Sequence, residues 1–147
     1  GNVSLRYLDW DCKGMGKVLH GNFEQLKDKN YDNIFECYYE IGTIDSPNLD
    51  FIDDSTTERW LDKVYGAMQS ESWSPYRESS ELIENLGEKS NVRPRTSMCI
   101  GDIILVKASE EQYKSKRDRY FIVANTGFEE IVENEDGSLK AVKFSQE

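Results

Sequence analysis

The sequence has few of the residues on which metal sites and common catalytic centres depend. Among 147 residues there are three cysteines, one histidine and three prolines. The cysteines, Cys12, Cys37 and Cys99, are odd in number and widely spaced, with no CxxC pair. This pattern argues against a disulfide framework and against a zinc site, and it favours buried or inert thiols in a reducing cytoplasm. We therefore expect neither a metal nor a cofactor.

Long apolar runs and recognised catalytic motifs are also missing. Apolar runs such as Ile103–Val106 are far too short to cross a membrane, and the first residues lack the basic and apolar regions of a signal peptide. Walker, Rossmann, HExxH and GxSxG patterns do not occur, and the single histidine, His20, has no recognisable nucleophile beside it. These absences predict a cytoplasmic protein that is not an enzyme. An enzyme of unknown class stays open as an alternative, because distant carboxylate pairs leave no sequence pattern.

Positive charge is scarce relative to negative charge. Asp and Glu number 28 against 18 Lys and Arg, which gives a net charge of −10. Such a surface repels phosphate backbones and anionic lipid, so a protein partner is favoured over nucleic acid, and no membrane partner is expected. One basic run between two predicted strands supports the alternative of a nucleic-acid-binding module, with Tyr113 and Tyr120 beside it for stacking. Its basic residues are Lys114, Lys116, Arg117 and Arg119.

Alternating apolar and polar residues predict strands near both ends of the chain. Val3–Trp10 and Ile34–Ile44 show this alternation, and the second is expected to have one face in contact with water. Four more strands are predicted at 103–107, 119–124, 128–133 and 139–144. The last two flank Asp136-Gly137, a dipeptide typical of a tight hairpin turn.

The middle of the chain predicts two helices. Apolar residues recur at helical spacing from Trp60 to Met68, and Ser55 and Glu58 have the spacing of a capping box in front of them. A second short helix is predicted from about residue 79 to Gly87. We therefore predict an α+β fold with two central helices. Its mainly antiparallel sheet, open or barrel-like, is built from N- and C-terminal strands in a single domain of residues 1–147.

The most patterned run is RTSMCIGDIILVK, residues 95–107. Gly101 and Asp102 suit a turn that leads into a core strand, because glycine permits backbone conformations that a Cβ blocks and Asp bonds to nearby amides. A structural role is the simpler interpretation. In the functional alternative the segment before the turn presents a cation and hydroxyls to an anionic or peptidic ligand, and Trp73 either fills the core or anchors a partner. The candidate ligand or partner residues are Trp73, Arg95, Thr96, Ser97 and Asp102.

Residues 58–131 contain an ordered series of elements that resembles a known family. The helical pattern from Trp60 to Met68 is followed by the step Trp73-Ser-Pro75, by RTSMCIGDII at 95–104 and by an aromatic strand that ends at Gly127-Phe128. This series is similar to a family of small proteins from phages, plasmids and other mobile elements. The family's third element reads (R/H)(T/S)S(M/L)SVGD(V/I)(V/I).

The chain departs from that family pattern at two positions. Cys99 and Ile100 stand where the family has Ser and Val, so any chemistry of that serine hydroxyl is missing here. The family is functionally uncharacterised, and the resemblance therefore implies a shared fold and a mobile-element ancestry without implying an activity. We expect an accessory protein of the bacterial cytoplasm that binds another protein.

Overall fold

The computed structural model describes residues 2–47, 53–69, 97–108 and 117–144, and the backbone of residues 85–86. Within these ranges the chain forms one α-helix, α1 (Asp54–Ala67), and seven strands. The strands are β1 (Val3–Leu8), β2 (Tyr38–Ile44), β3 (Asn85–Leu86), β4 (Ile103–Val106), β5 (Arg119–Val123), β6 (Phe128–Glu133) and β7 (Leu139–Lys143). Three 3₁₀ helices lie between β1 and β2, at Val18–His20, Phe23–Asp28 and Ile34–Cys37.

The strands form one sheet in the order β3-β2-β1-β4-β5-β6-β7, and every neighbouring pair is antiparallel. The N-terminal strand β1 lies between β2 and β4, so strands from both ends of the chain share the sheet, as predicted. An antiparallel sheet with few helices is therefore confirmed. The barrel-like form is wrong, because β3 and β7 are opposite edges of an open sheet.

The apolar strands β4 and β5 are buried on both faces of the sheet. In β4, Ile104 and Val106 belong to the core on one face, whereas Ile103 and Leu105 belong to the core on the other. A strand with a core on each face needs no polar alternation, which explains the unbroken apolar run. The strand predictions for residues 103–107 and 119–124 are confirmed to within one residue.

One face of the sheet is covered by α1, which packs through Leu61, Val64 and Met68. Trp60 and Tyr65 are only partly buried and lie at the margin of this core. The predicted helix and its apolar stripe are thus confirmed. This arrangement leaves the ring of Tyr65 available to a surface beside the core.

Two details of the predicted helices are wrong. The N-cap of α1 is Asp53, whose carboxylate accepts a hydrogen bond from Thr56 N at 2.7 Å, so Ser55 lies within the helix and forms no capping box. The second predicted helix fails at Asn85–Leu86, which form β3 and pair with Thr43 and Gly42 of β2. Pairing with the edge of a sheet has outweighed the local helical spacing there. The remainder of that predicted helix lies outside the described residues.

The other face of the sheet is covered by the segment between β1 and β2, and a disulfide between Cys12 and Cys37 closes this segment. The prediction of three separate thiols is therefore wrong, and only Cys99 is free. The pairing depends on the antiparallel β1–β2 ladder, which brings the end of β1 to the start of β2. The contact Asp9 N to Cys37 O, at 2.7 Å, shows this proximity. A separation of 25 residues in the sequence gives no sign of it.

The start of β2 also differs from its prediction. Ile34–Cys37 form a 3₁₀ helix, because this geometry turns Ile34 and Cys37 toward the same core, and the strand begins only at Tyr38. Tyr38 is buried, so the expected face in contact with water is wrong at this position. The predicted β6–β7 hairpin is confirmed, with Gly137 at φ 88° in its turn.

Candidate functional site

Residues 97–102 form the turn that leads into β4, and the Asp102 side chain holds this turn in place. The carboxylate is fully buried; its Oδ2 accepts a hydrogen bond from Cys99 N at 2.7 Å and its Oδ1 accepts one from Leu8 N at 2.8 Å. Asp102 N donates in turn to Cys99 O at 3.0 Å. One carboxylate therefore fastens the turn to β1, and its two oxygens are used within the protein.

Gly101 allows the backbone to pass close to its neighbours. Its φ is 91°, and a Cβ at this position would lie 3.1 Å from both the Leu8 Cδ2 and the Val18 carbonyl oxygen. Gly101 N donates to Val123 O at 2.9 Å, and Gly101 O accepts from the Tyr38 hydroxyl at 2.7 Å. Burial raises the pKa of Tyr38 well above its usual value, and the nearby Asp102 carboxylate raises it further.

The other predicted ligand residues are only partly within the described chain. Ser97 is half-buried at the start of the turn, and its carbonyl oxygen accepts a hydrogen bond from the Cys99 thiol at 3.3 Å. Trp73, Arg95 and Thr96 lie outside the described residues. The structure thus places Ser97 and Asp102 in one turn, with the Asp102 carboxylate buried inside it.

The outer side of this turn lines a cleft. Tyr65 of α1 and Ile100 of the turn border two adjoining hollows, one of about 440 Å³ and one of about 300 Å³. The first hollow is also lined by Trp10, Leu19 and Cys99. The second is also lined by Asp62, Val123, Ala124, Asn125, Gly127 and Phe128. We call the two hollows together the Tyr65–Ile100 cleft.

Three elements of the fold position the walls of the Tyr65–Ile100 cleft. On α1, Asp62 and Tyr65 are three residues apart and therefore lie on the same side of the helix. The Tyr65 ring meets the Phe128 ring edge-on, with centroids 6.4 Å apart. The turn between β5 and β6 is closed by Ala124 N donating to the Gly127 carbonyl at 2.9 Å. These contacts bring α1 and the start of β6 to one surface, and the hydrogen bond from Gly101 N to Val123 O places the turn before β4 beside them.

The Tyr65–Ile100 cleft is mostly apolar. Trp10, Leu19, Tyr65, Cys99 and Ile100 are all partly exposed there. Among the described residues that line the cleft, Asp62 is the only one with a charge. Apolar walls with a few convergent polar groups are typical of binding sites. The arrangement can bind apolar groups and one cation.

Two other grooves lie beside the β6–β7 hairpin. They measure about 600 and 630 Å³, and Lys27 lines both of them. Charges of both signs border these grooves, including Glu24, Glu133 and Lys140. Mixed surface charge of this kind gives no preference for one class of ligand, so the Tyr65–Ile100 cleft is the stronger candidate.

The single histidine and the metal-binding residue types do not contribute a centre beside the cleft in the described part of the chain. His20 is exposed and borders neither hollow of the cleft; its carbonyl oxygen accepts a hydrogen bond from Asn125 Nδ2 at 3.4 Å. Within the described ranges there is no cluster of His, Cys, Asp and Glu side chains that would hold a metal ion.

The two described arginines of the predicted basic cluster lie in different environments. Arg119 forms a bidentate ion pair with Glu130, with Nη2 2.7 Å from Oε1 and Nε 3.0 Å from Oε2. Its guanidinium also lies over the Phe121 ring, and its side chain is only 11% exposed. Arg117 is exposed, whereas Lys114 and Lys116 lie outside the described residues. Arg119 is therefore committed to contacts within the protein.

Tyr120, which was predicted to stack beside that cluster, also packs within the protein. Tyr120 stacks on Tyr31 and on Phe35, with ring centroids 4.6 and 5.7 Å away, and it is 8% exposed. Burial raises the pKa of Tyr120, and the neighbouring Asp118 adds to the rise. Its ring is not available for stacking on a nucleic-acid base. Tyr113 lies outside the described residues.

No family model, curated protein or solved structure matches this chain. In the part of the chain that the structure describes, no helix combines the length and apolar character needed to cross a membrane.

Sequence reasoning missed most of the cleft. It assigned Tyr65 to the apolar stripe of α1 and gave no role to Trp10, Leu19 or Asp62. One feature of the sequence could have indicated the cleft. Asp62 directly follows the buried Leu61, and Tyr65 directly follows the buried Val64, so both lie at the edge of the apolar stripe. Residues at the margin of a helix's buried stripe can line a surface cleft beside the core.

Proposed function

We propose that this protein is an accessory protein of a phage or other mobile element and acts as a non-enzymatic protein-binding domain through the Tyr65–Ile100 cleft. The observation that carries this proposal is the convergence of partly exposed aromatic and aliphatic side chains on two adjoining hollows of about 440 and 300 Å³. Large apolar anchors that fill such hollows dominate the energetics of protein interfaces. Two hollows side by side fit two neighbouring side chains of one partner segment.

The attribution to a mobile element rests on the order of elements in residues 58–131, from the α1 stripe to Gly127-Phe128. Three of these elements, α1, the 97–102 turn and the β5–β6 region, border the cleft. The segment that carries the resemblance is thus largely the segment that builds the proposed site.

A protein partner is favoured over nucleic acid. The net charge of −10 opposes a phosphate backbone. Two described residues of the predicted nucleic-acid surface, Arg119 and Tyr120, are held by Glu130 and by stacked rings. The nucleic-acid alternative therefore has less support than the apolar cleft.

A peptide-display selection tests the proposed function. Wild-type protein is used to select binding peptides, and each peptide is then measured against the variants Ile100→Asp and Val142→Asp. Val142 is an exposed apolar residue on β7, away from the cleft, so it is a matched control. We expect affinity to fall at least about tenfold for Ile100→Asp, because a charge replaces an apolar anchor site, and to be unchanged for Val142→Asp. Peptides that bind all three proteins equally would overturn the assignment of the cleft.

We propose the bacterial cytoplasm as the place of action, which makes a separate prediction for Cys12 and Cys37. In that reducing compartment the two residues are kept as thiols, and the disulfide forms only on oxidation. Quenching intact cells in acid, alkylating the denatured protein and identifying the modified cysteines by mass spectrometry measures this state, because Cys37 is buried in the folded protein. Alkylated Cys12 and Cys37 support the cytoplasm, whereas an intact disulfide assigns the protein to an oxidising compartment.

A further inference from the structure

The charge in the smaller hollow indicates what the partner presents to it. Its apolar wall includes Tyr65, Val123 and Phe128, and its single described charge is the Asp62 carboxylate. We infer that this hollow takes a lysine or arginine side chain, with the aliphatic stem against the apolar wall and the cationic head on Asp62. This inference rests on the proposed function, because it names the chemistry of the partner at the same cleft.

The shape of a long basic side chain matches this combination of surfaces. Lys and Arg bury their methylene stems along apolar surface while the charged head stays near water. An exposed carboxylate accepts charge-assisted hydrogen bonds from that head, and the ring of Tyr65 adds attraction for a cation above its face. An anionic or purely apolar side chain would satisfy only one of the two surfaces.

The described walls of the cleft carry no cation. None of the described lining residues is a lysine or an arginine. Arg59 lies one turn before Asp62 on α1, and its Nη2 donates to Thr56 Oγ1 at 3.2 Å. The Asp62 carboxylate is therefore suited to a cation from the partner, and the net charge of −10 attracts such a partner over a distance.

The larger hollow completes the description of the partner segment. Trp10, Leu19 and Cys99 line it without a charged group among the described residues. It fits an apolar side chain, and Tyr65 and Ile100 are shared with the hollow that contains Asp62. The partner segment therefore carries a basic residue close to an apolar residue.

Titration with small probes, followed by amide chemical shifts, tests the inference without a known partner. The probes are n-butylguanidinium chloride, 1-pentanol and sodium pentanoate, which share a short alkyl stem and differ in charge. We expect butylguanidinium to bind best and to shift the amide signals of Tyr65, Asn125 and Gly127. Asp62→Asn should weaken its binding about fivefold, the upper range for a solvent-exposed ion pair. Glu135→Gln removes the same charge from an exposed turn far along the sequence and should change nothing.

The outcomes separate this inference from the proposed function. Equal binding of pentanol and butylguanidinium, or no effect of Asp62→Asn, would refute the inference that the partner presents a basic side chain. The proposal that the cleft binds apolar groups of a partner would still stand. Peptides from the display selection give a second reading. They should carry Lys or Arg at a fixed distance from an apolar residue and should lose affinity on Asp62→Asn. Selected peptides that depend on Ile100 but have no basic residue would refute the inference alone.

Discussion

Two neighbouring pairs of residues in one turn are used in different ways. Gly101 and Asp102 face the interior, where six hydrogen bonds tie their backbone and carboxylate to Leu8, Cys99, Tyr38 and Val123. Cys99 and Ile100 face the Tyr65–Ile100 cleft with partly exposed side chains. A single sequence motif can therefore combine a structural half with a half that lines a surface cleft. We therefore expect substitutions of Gly101 or Asp102 to reduce stability strongly, and substitutions on the Cys99–Ile100 side to reduce binding.

The largest loss of stability is expected for Asp102→Ala. This change removes a buried carboxylate and leaves the Leu8 and Cys99 amides without their acceptor. Hydrogen bonds to charged groups contribute about 1.5–3 kcal/mol each, so we expect a loss of about 3–5 kcal/mol in the free energy of unfolding, measured in urea. Asp62→Ala is the control and should change stability by less than about 0.5 kcal/mol. Similar losses for the two variants would remove the distinction between the interior and the cleft.

Gly101→Ala should have the next largest effect. The added Cβ meets the Val18 carbonyl oxygen at 3.1 Å at a positive φ, so both a close contact and backbone strain oppose the substitution. We expect a loss of about 2 kcal/mol, again measured in urea. Gly66→Ala within α1 has open space around its Cβ and should instead stabilise the protein by about 0.5–1 kcal/mol. A neutral Gly101→Ala variant would show that the turn tolerates a side chain.

Tyr38→Phe should cost less, about 1 kcal/mol at neutral pH, because Gly101 O loses one neutral hydrogen bond. The pH dependence of stability tests the role of Tyr38 more specifically than the loss at neutral pH does. Since the pKa of Tyr38 is raised in the folded protein, its contribution is complete below its unfolded pKa of about 10 and is lost as pH rises above that value. Wild-type stability should therefore fall above pH 10, and Tyr38→Phe should fall less steeply. Parallel curves would mean that Tyr38 titrates alike in both states.

Ile100→Asp should have the smallest effect on stability, at about 1 kcal/mol or less, because Ile100 is only partly buried. Its effect appears instead in peptide binding, where we expect at least about a tenfold loss. Thermal unfolding and peptide affinity are measured on the same preparation. A variant that unfolds as readily as Asp102→Ala would assign Ile100 to the interior.

The part of this structure that follows local sequence pattern was predictable. The apolar run of β4, the Gly101-Asp102 turn before it and the α1 stripe each depend on residues within a few positions of one another. The disulfide and the cleft depend on segments that are far apart in sequence. Trp10 and Leu19 meet Ile100 only because β1 pairs with β4, and Cys12 reaches Cys37 only because β1 pairs with β2. Without an observed strand order, neither neighbourhood could be derived.

The state of the cysteines gives the oxidised protein a ready-made reporter. With Cys12 and Cys37 joined, Cys99 is the single thiol open to labelling, and it lies on the wall of the larger hollow. A maleimide dye or a trifluoromethyl tag would therefore attach at one known position without any engineered cysteine. Changes in its emission or ¹⁹F shift would then report directly on what enters that hollow.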